Sequence, residues 1–434
     1  MMKKQQLVVV LALLCTTLTF AQFTLDGQFR PRTEYRNGFQ TLIPDAADAG
    51  FAINTRSRLN AGFTADAFKV YISLQDVSVW GENPQIIPVD DNNSFALFEA
   101  WASLKLSEKW STKLGRQVIS YDDQRFFGGL DWAQQGRNHD LALLQYKGGK
   151  FVMDVGLAFN QDLDGNGGPL FGFQNEGTVY PANNPFQYKT MQYIYAKQQW
   201  EGFSASLLAV NYAHQNFDDD GDADGVNSLI TLGTHLNYKK GNFGAAANAF
   251  IQSGEFFNGA TEVKGAYLLG LDLSYKATSK VGLGLGVEII SGNDVSTTDR
   301  TEAFLPTFGT NHKFNGFMDY FYVGNHVNTI GLVDVHASAN FKLGEKASLL
   351  TKVLNFSGDQ ELPSGEKSLG TEIDLVYTQK FNGYALKIGY SHLFPSDGMY
   401  ELKGVAEADA ASSQNWAWAM LILKPKFLNT TPKE

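Results

Sequence analysis

Apolar and polar residues alternate one for one through long stretches of this chain. Val281, Leu283, Leu285, Val287 and Ile289 are separated by Gly282, Gly284, Gly286 and Glu288. Val333, Val335, Ala337, Ala339 and Phe341 alternate with Asp334, His336, Ser338, Asn340 and Lys342. Leu369, Ile373, Leu375 and Tyr377 alternate with Gly370, Glu372, Asp374 and Thr378. A period of two is that of a β-strand with one apolar and one polar face. The breaks between such segments are of two kinds. Short ones fall near residues 64–66, 107–109, 148–149, 201–202, 240–241, 278–279, 344–345 and 382–383. Longer polar ones span 37–50, 81–93, 121–137, 161–185, 215–225, 254–261, 293–325, 358–366 and 395–413. Short and long alternate throughout. That asymmetry predicts short periplasmic turns and long extracellular loops on an all-β, transmembrane antiparallel β-barrel of roughly eighteen strands, lipid outside and water inside. A soluble sandwich also alternates, but its polar face looks outward and its strands are usually shorter.

The first residues fix the compartment. Lys3 and Lys4 precede an apolar run from Leu7 to Leu14, and Thr19-Phe20-Ala21 offers a small-x-small cleavage site before Gln22. This reads as a secretory signal peptide over 1–21, too short to span a membrane, followed by one barrel domain over 22–434. The expected location is the outer membrane of a Gram-negative bacterium. The only cysteine, Cys15, lies inside the signal, so the mature chain is expected to hold no disulfide, cysteine-zinc site or cysteine nucleophile. Forty-three glycines, 32 phenylalanines and 18 tyrosines against 12 prolines fit a barrel, and a net charge of -10 argues against nucleic acid as a partner. Strand one starts almost at the cleavage site, which favours passive diffusion over an energised, plugged receptor.

Charge is distributed unevenly. Of nine arginines all but Arg300 lie between Arg30 and Arg137. Arg30/Arg32 and Arg56/Arg58 are i, i+2 pairs, each on one strand face. With Phe23, Leu25 and Phe29 facing lipid, Arg30 and Arg32 face the lumen; with Ile53, Leu59 and Phe63 facing lipid, Arg56 and Arg58 do too. An arginine at the lipid midplane would cost about 2–4 kcal/mol, so the lumen is favoured. Because guanidinium groups hold carboxylates and phosphates through fixed charge and a donor fork, the patch predicts a path for anions. Solvated strand charges are the plainer explanation. Arg116 shares parity with Leu114 and Val118, so a lumenal role there needs a bulge or strand end. Glu99, Asp272, Glu288, Asp334, Glu372 and Asp374 have lumenal parity, and acids flanking the arginines would keep a polyanion from sticking.

Two loops carry a different signal. Asp162-Leu-Asp164-Gly-Asn166-Gly167 and Asp220-Gly-Asp222-Ala-Asp224-Gly225 match the start of a calcium loop, although Phe173 and Thr231 stand where the final glutamate ligand belongs. Calcium in these loops is a candidate; chance Asp/Gly turns are the alternative, and no cofactor is required. The seven histidines are scattered without metal-ligand spacing. Asp334 and His336 share a face that a serine from another strand could complete into a phospholipase-like triad, but no catalytic motif is present and an enzyme is not expected.

The stretch Leu114-Gly-Arg-Gln-Val-Ile-Ser-Tyr-Asp-Asp-Gln-Arg125, continuing through Phe126-Phe-Gly-Gly-Leu-Asp-Trp132 to Gly136-Arg137, resembles the bacterial alginate-export porin family. So do Asn311-His-Lys-Phe-Asn-Gly-Phe-Met-Asp319, Gly370-Thr-Glu-Ile-Asp374 and Gly389-Tyr-Ser-His392. The resemblance implies an eighteen-stranded outer-membrane barrel with an arginine-lined constriction that passes the polyuronate alginate. It makes Arg116, Arg125 and Arg137, with Arg56 and Arg58, constriction candidates, and Asp122 and Asp131 their acidic partners. The near absence of arginine after Arg137 departs from a ring contributed from all around the barrel. Expected partners are membrane lipid and an anionic poly- or oligosaccharide, with periplasmic partners undefined. A general diffusion porin, a barrel enzyme and a surface adhesion barrel are the competing readings.

Overall fold

In the computed structural model the described residues are 22–82, 95–161, 180, 184–256, 261–294, 296–411 and 413–430. The first eleven long strands are β1 (Gln22–Asn37), β2 (Gly50–Thr64), β3 (Phe68–Val79), β4 (Ala96–Lys105), β5 (Trp110–Gln117), β6 (His139–Gly148), β7 (Phe151–Phe159), β8 (Thr190–Gln199), β9 (Phe203–Phe217), β10 (Ala223–Lys240) and β11 (Phe243–Glu255). Seven more follow: β12 (Glu262–Lys276), β13 (Val281–Ile290), β15 (Leu332–Lys342), β16 (Ala347–Ser357), β17 (Ser368–Lys380), β18 (Tyr384–Pro395) and β19 (Gln414–Leu423). The two-residue β14 (Arg300–Thr301) lies in a loop, and β20 (Lys426–Asn429) extends β19 along β1. Each long strand pairs antiparallel with the next, and β19 pairs with β1 to close an eighteen-stranded barrel.

Parity holds along the wall. Phe29, Leu59, Ile72, Leu114, Leu207, Ile251, Leu285 and Ile388 are exposed on the outside, where lipid solvates them. Near the short turns the outer face carries aromatic pairs: Trp110–Tyr146 at 4.9 Å, Trp200–Phe203 at 5.4 Å and Phe381–Tyr384 at 4.5 Å between centroids. This is the interfacial girdle of a membrane barrel. Two register slips sit where only glycine fits. At Gly254 φ is +133° and a Cβ would lie 2.1 Å from the Ser228 carbonyl; at Gly370 φ is +123° and the same atom would lie 2.4 Å from that of Phe394. Both mark bulges that bend the wall.

The interior departs from a uniformly watery lumen. Two long connections, 118–138 and 291–331, fold inward and build an apolar core inside the barrel. Phe127 stacks on Phe308 at 5.5 Å, and Phe308 also meets Tyr212 at 5.0 Å and Tyr188 at 5.6 Å. The lumenal faces of β8 and β9 receive them with Met191, Tyr193, Leu208, Val210 and Tyr212, all buried. The same buried cluster continues to Phe356, Trp416 and Trp418 on the lumenal faces of β16 and β19.

Candidate functional site

The arginines of β1 and β2 face inward, and most of them are engaged in holding a loop. Arg30, Arg32 and Arg56 are only 3%, 5% and 0% exposed. Arg30 donates Nε to Gln134 Oε1 at 2.9 Å and Nη1 to the Asp131 carbonyl at 2.7 Å. Arg32 donates to the Trp132 carbonyl at 3.0 Å and lies 4.6 Å over that indole ring. Arg56 meets the Asp131 carboxylate at 2.7 Å and the Gln134 carbonyl at 3.3 Å. Three guanidinium groups therefore grip residues 131–134 from one wall. They do not line an open path. Glu34 ties the group together by accepting from Arg32, Arg36, Asn54 and Trp416.

A second clamp stands on the opposite wall. Arg125, 1% exposed, donates to both Glu288 oxygens on β13 at 2.7 Å, to Asn311 at 2.8 Å and to Asn315 at 3.1 Å. The segment 118–138 is thereby strapped across the lumen, and Arg125 also fastens it to the second inserted loop. Arg137 joins the same two loops through the Gly309 carbonyl at 2.9 Å. Asp122 accepts from Lys197, Tyr195 and Ser206 of β8 and β9, so it anchors the strap near its start. Asp131 keeps an open side, its side chain 72% exposed. Crowding by protein would raise its carboxyl, but Arg56 and then Arg30 hold it below the ordinary carboxylate range.

Other expected positions need correction. Arg116 keeps the parity of Leu114 on the outer face and pairs with Asp140 at 2.7 Å; no bulge on β5 turns it inward. Glu372 and Asp374 have the lumenal face but are wholly buried beneath residues 316–318, with Glu372 accepting from the Met318 N–H at 2.9 Å and Asp374 from Ser391 at 2.5 Å. They support a loop and meet no solute. His336 binds Asp334 through Nδ1 at 3.2 Å, and the Nε2 that a serine would need meets Asp272 at 3.0 Å. Asp162, Asp164 and Asn166 lie outside the described residues. The other aspartate loop is a turn organised by Asp218, whose carboxylate accepts from the N–H groups of Asp220 and Asp222. Among the described residues no group of three or more His, Cys, Asp or Glu side chains is gathered to hold a metal.

Of the expected arginines Arg58 remains partly open to the lumen, and it is joined by three lysines that arginine counting passes over. Arg58 stacks 3.6 Å over Phe98 and bonds Gln75 at 2.6 Å, while its Nη2 has no hydrogen-bond partner among the described residues. Lys113 on β5 lies 4.0 Å over Trp101. Lys387 on β18 faces the same way as Met420, its partner on β19, and Lys352 on β16 sits opposite Asp374. All four are half-buried. Strand parity alone would have placed the lysines inside. The plug had a signal too: Phe304-Leu-Pro-Thr-Phe308 and Tyr320-Phe-Tyr322 are too apolar for a solvated extracellular loop.

Comparison with known proteins agrees with this architecture. The outer membrane protein opdK from Pseudomonas aeruginosa superposes with a TM-score of 0.60 at 11% identity, covering 94% of this chain and 99% of that one. OccK9 (OpdG) from the same organism gives 0.61 at 12% identity over 93% and 98%. OccAB4 from Acinetobacter baumannii gives 0.61 at 12% over 94% and 99%. At such identities the likeness is one of fold. No curated protein matches the chain in sequence. The alginate-export family, in contrast, matches residues 21–412, from the start of β1 to the last long loop, and this outer-membrane β-barrel channel belongs to that family.

Proposed function

We propose that the protein is a passive channel for anionic solutes, with alginate-like polyuronates or acidic oligosaccharides as the cargo. The supporting observation is the row of partly open lumenal cations Lys113, Arg58, Lys387 and Lys352. They belong to β5, β2, β18 and β16, so they follow one side of the barrel across its seam. The inserted loops fill much of the remaining interior, which directs solutes past these cations. Each cation is half-buried, where a charge acts more strongly than at a solvated surface. Arg58 and Lys113 are also held in place by the rings of Phe98 and Trp101. Asp131 stands among them with an open carboxylate, which weakens the local field and lets an anion leave.

Reversal potentials across a salt gradient test the proposal. The wild-type channel is expected to prefer chloride over potassium. Combined Arg58→Gln, Lys113→Gln and Lys387→Gln substitution is expected to reduce that preference, and Asp131→Asn to increase it. Cation selectivity in the wild type would overturn the anion path. Equal block by uronate and neutral oligosaccharides of one length would leave a general diffusion porin.

A further inference from the structure

The short turns carry a repeated feature that the constriction does not use. As a strand enters its turn, one residue donates its backbone N–H to a carbonyl of the neighbouring turn. The pairs are Lys105 to Ala67, Lys147 to Lys109, Lys239 to Gly202, Lys276 to Asn242, Lys342 to Lys280 and Lys380 to Lys346, at 2.7–2.8 Å. A seventh runs from Gln199 to Lys150 at 3.0 Å. Six of the seven donors are lysine, and all six side chains are exposed. Alternation sets each on the lumenal face, in step with Ser103, Gln145, His235, Asp272, His336 and Asp374 of the same strands. The residues beside them, among them Tyr146, Tyr238, Tyr275 and Phe381, take the lipid face.

The charge at this end opposes that of the chain. The eight turns, taken as 64–69, 105–110, 147–151, 199–203, 238–243, 276–281, 342–347 and 380–384, hold twelve lysines against Asp66, Glu108, Glu201 and Glu345. A chain of net charge -10 thus carries +8 on its turns and -18 elsewhere. Successive turns are two strands apart, about 10 Å at the usual strand spacing. The Debye length is about 8 Å at physiological salt, so neighbouring lysine fields overlap into a continuous collar. Grooves open between the turns. One of about 410 Å³ is lined by Lys69, Lys105, Lys109 and Lys147, and one of about 500 Å³ by Lys239 and Lys276. Both have the size of small-molecule sites.

We propose that this lysine collar is a binding site for a carboxylate-bearing polymer, captured at the periplasmic mouth before it reaches the occluded lumen. The carboxylate chemistry rests on the anion-channel reading above; the location and residues of the site do not. Anionic phospholipid is the competing occupant. The lumenal parity of the lysines disfavours it, because lipid meets the aromatic residues next to them.

Oriented single-channel recordings with oligogalacturonate, and a neutral maltooligosaccharide of equal length as control, test the proposal. Periplasmic addition is expected to block at roughly tenfold lower concentration than extracellular addition, a modest instance of electrostatic focusing. A variant combining Lys105→Gln, Lys147→Gln, Lys239→Gln, Lys276→Gln, Lys342→Gln and Lys380→Gln is expected to be blocked equally from both sides, and 1 M salt to have the same effect on wild type. Equal block from both faces in wild type, or a persisting difference in the glutamine variant, overturns the collar. So does a side difference present in neutral-lipid bilayers and abolished by phosphatidylglycerol, which would assign the lysines to lipid. Reversal potentials on the same channels keep the two proposals apart. Anion selectivity with symmetric block refutes only the collar, and cation selectivity with one-sided block refutes only the constriction.

Discussion

Replacing Arg125 with methionine should turn a quiet, narrow channel into a flickering, wider one. Arg125 is the fastening of the strap on the β13 wall, bidentate to Glu288 and bonded to Asn311 and Asn315. Its removal leaves Glu288, 6% exposed, with a buried charge answered only by the Asn315 amide at 2.8 Å. Breaking one partner of such a pair costs about 3–5 kcal/mol. At one decade per 1.4 kcal/mol, the equilibrium between docked and released strap shifts by roughly a hundred- to several-thousand-fold. Phe126 and Phe127 still hold their places in the plug, so release should be intermittent. Single-channel recording should show bursts to a higher conductance, and limited proteolysis should cut within 118–138. Circular dichroism should report an unchanged barrel. The double variant Arg125→Met with Glu288→Met should recover much of the quiet state, since an apolar pair of similar volume often replaces a buried ion pair at little cost. A single Arg125→Met channel as quiet and as protease-resistant as wild type would refute the strap.

Phe308→Ala should destabilise the docked plug by about 3–5 kcal/mol, read as protease sensitivity of 291–331 with the barrel intact. Arg116→Gln should leave ion selectivity unchanged and cost at most about 1 kcal/mol, since its pair with Asp140 is on the outer face. Acidification should loosen the second inserted loop through His326. Burial, and then nearby Lys403, lower its imidazole to about 3, whereas the free side chain titrates near 6.5. The released loop binds the proton first, so docking is fully stabilised above pH 6.5 and weakens as pH falls from there toward 3. Proteolysis across that window should show the change in wild type and a smaller one in His326→Asn.

The wall was legible from the chain because a barrel strand states its two faces residue by residue. Leu283 and Gly284, or Val335 and His336, name lipid and lumen without tertiary information. The inserted loops were not, because residues 121–137 and 293–325 have no period and their partners are strands far away in sequence. Phe308 meets Tyr188 and Tyr212, and nothing local to any of the three announces it. The same gap misassigned the arginines. Parity gave the face of Arg30 and Arg56, but whether a lumenal guanidinium meets solute or backbone depends on a loop about 100 residues away for Arg30 and about 75 for Arg56. Glu372 and Asp374 show the same limit, since face is local and burial is not. Arg116 is the opposite case, where strict parity gave the outer face and the family resemblance pointed inward.

The pairing of β1 with β19 has a kinetic consequence. Other long strands pair with their neighbours in sequence, whereas the seam, which β20 continues, pairs Phe29 with Leu423 and Asn37 with Asn415. Bringing such distant ends together costs about 5 kcal/mol of chain entropy, and nothing repays it until the last strand exists. The other seventeen strands must therefore wait as a curved sheet with two bare edges, Gln22–Asn37 on one side and Tyr384–Pro395 on the other. Such edges invite pairing with other chains. Solubility during assembly is thus decided by the ten residues Gln414–Leu423, which cover both edges at once.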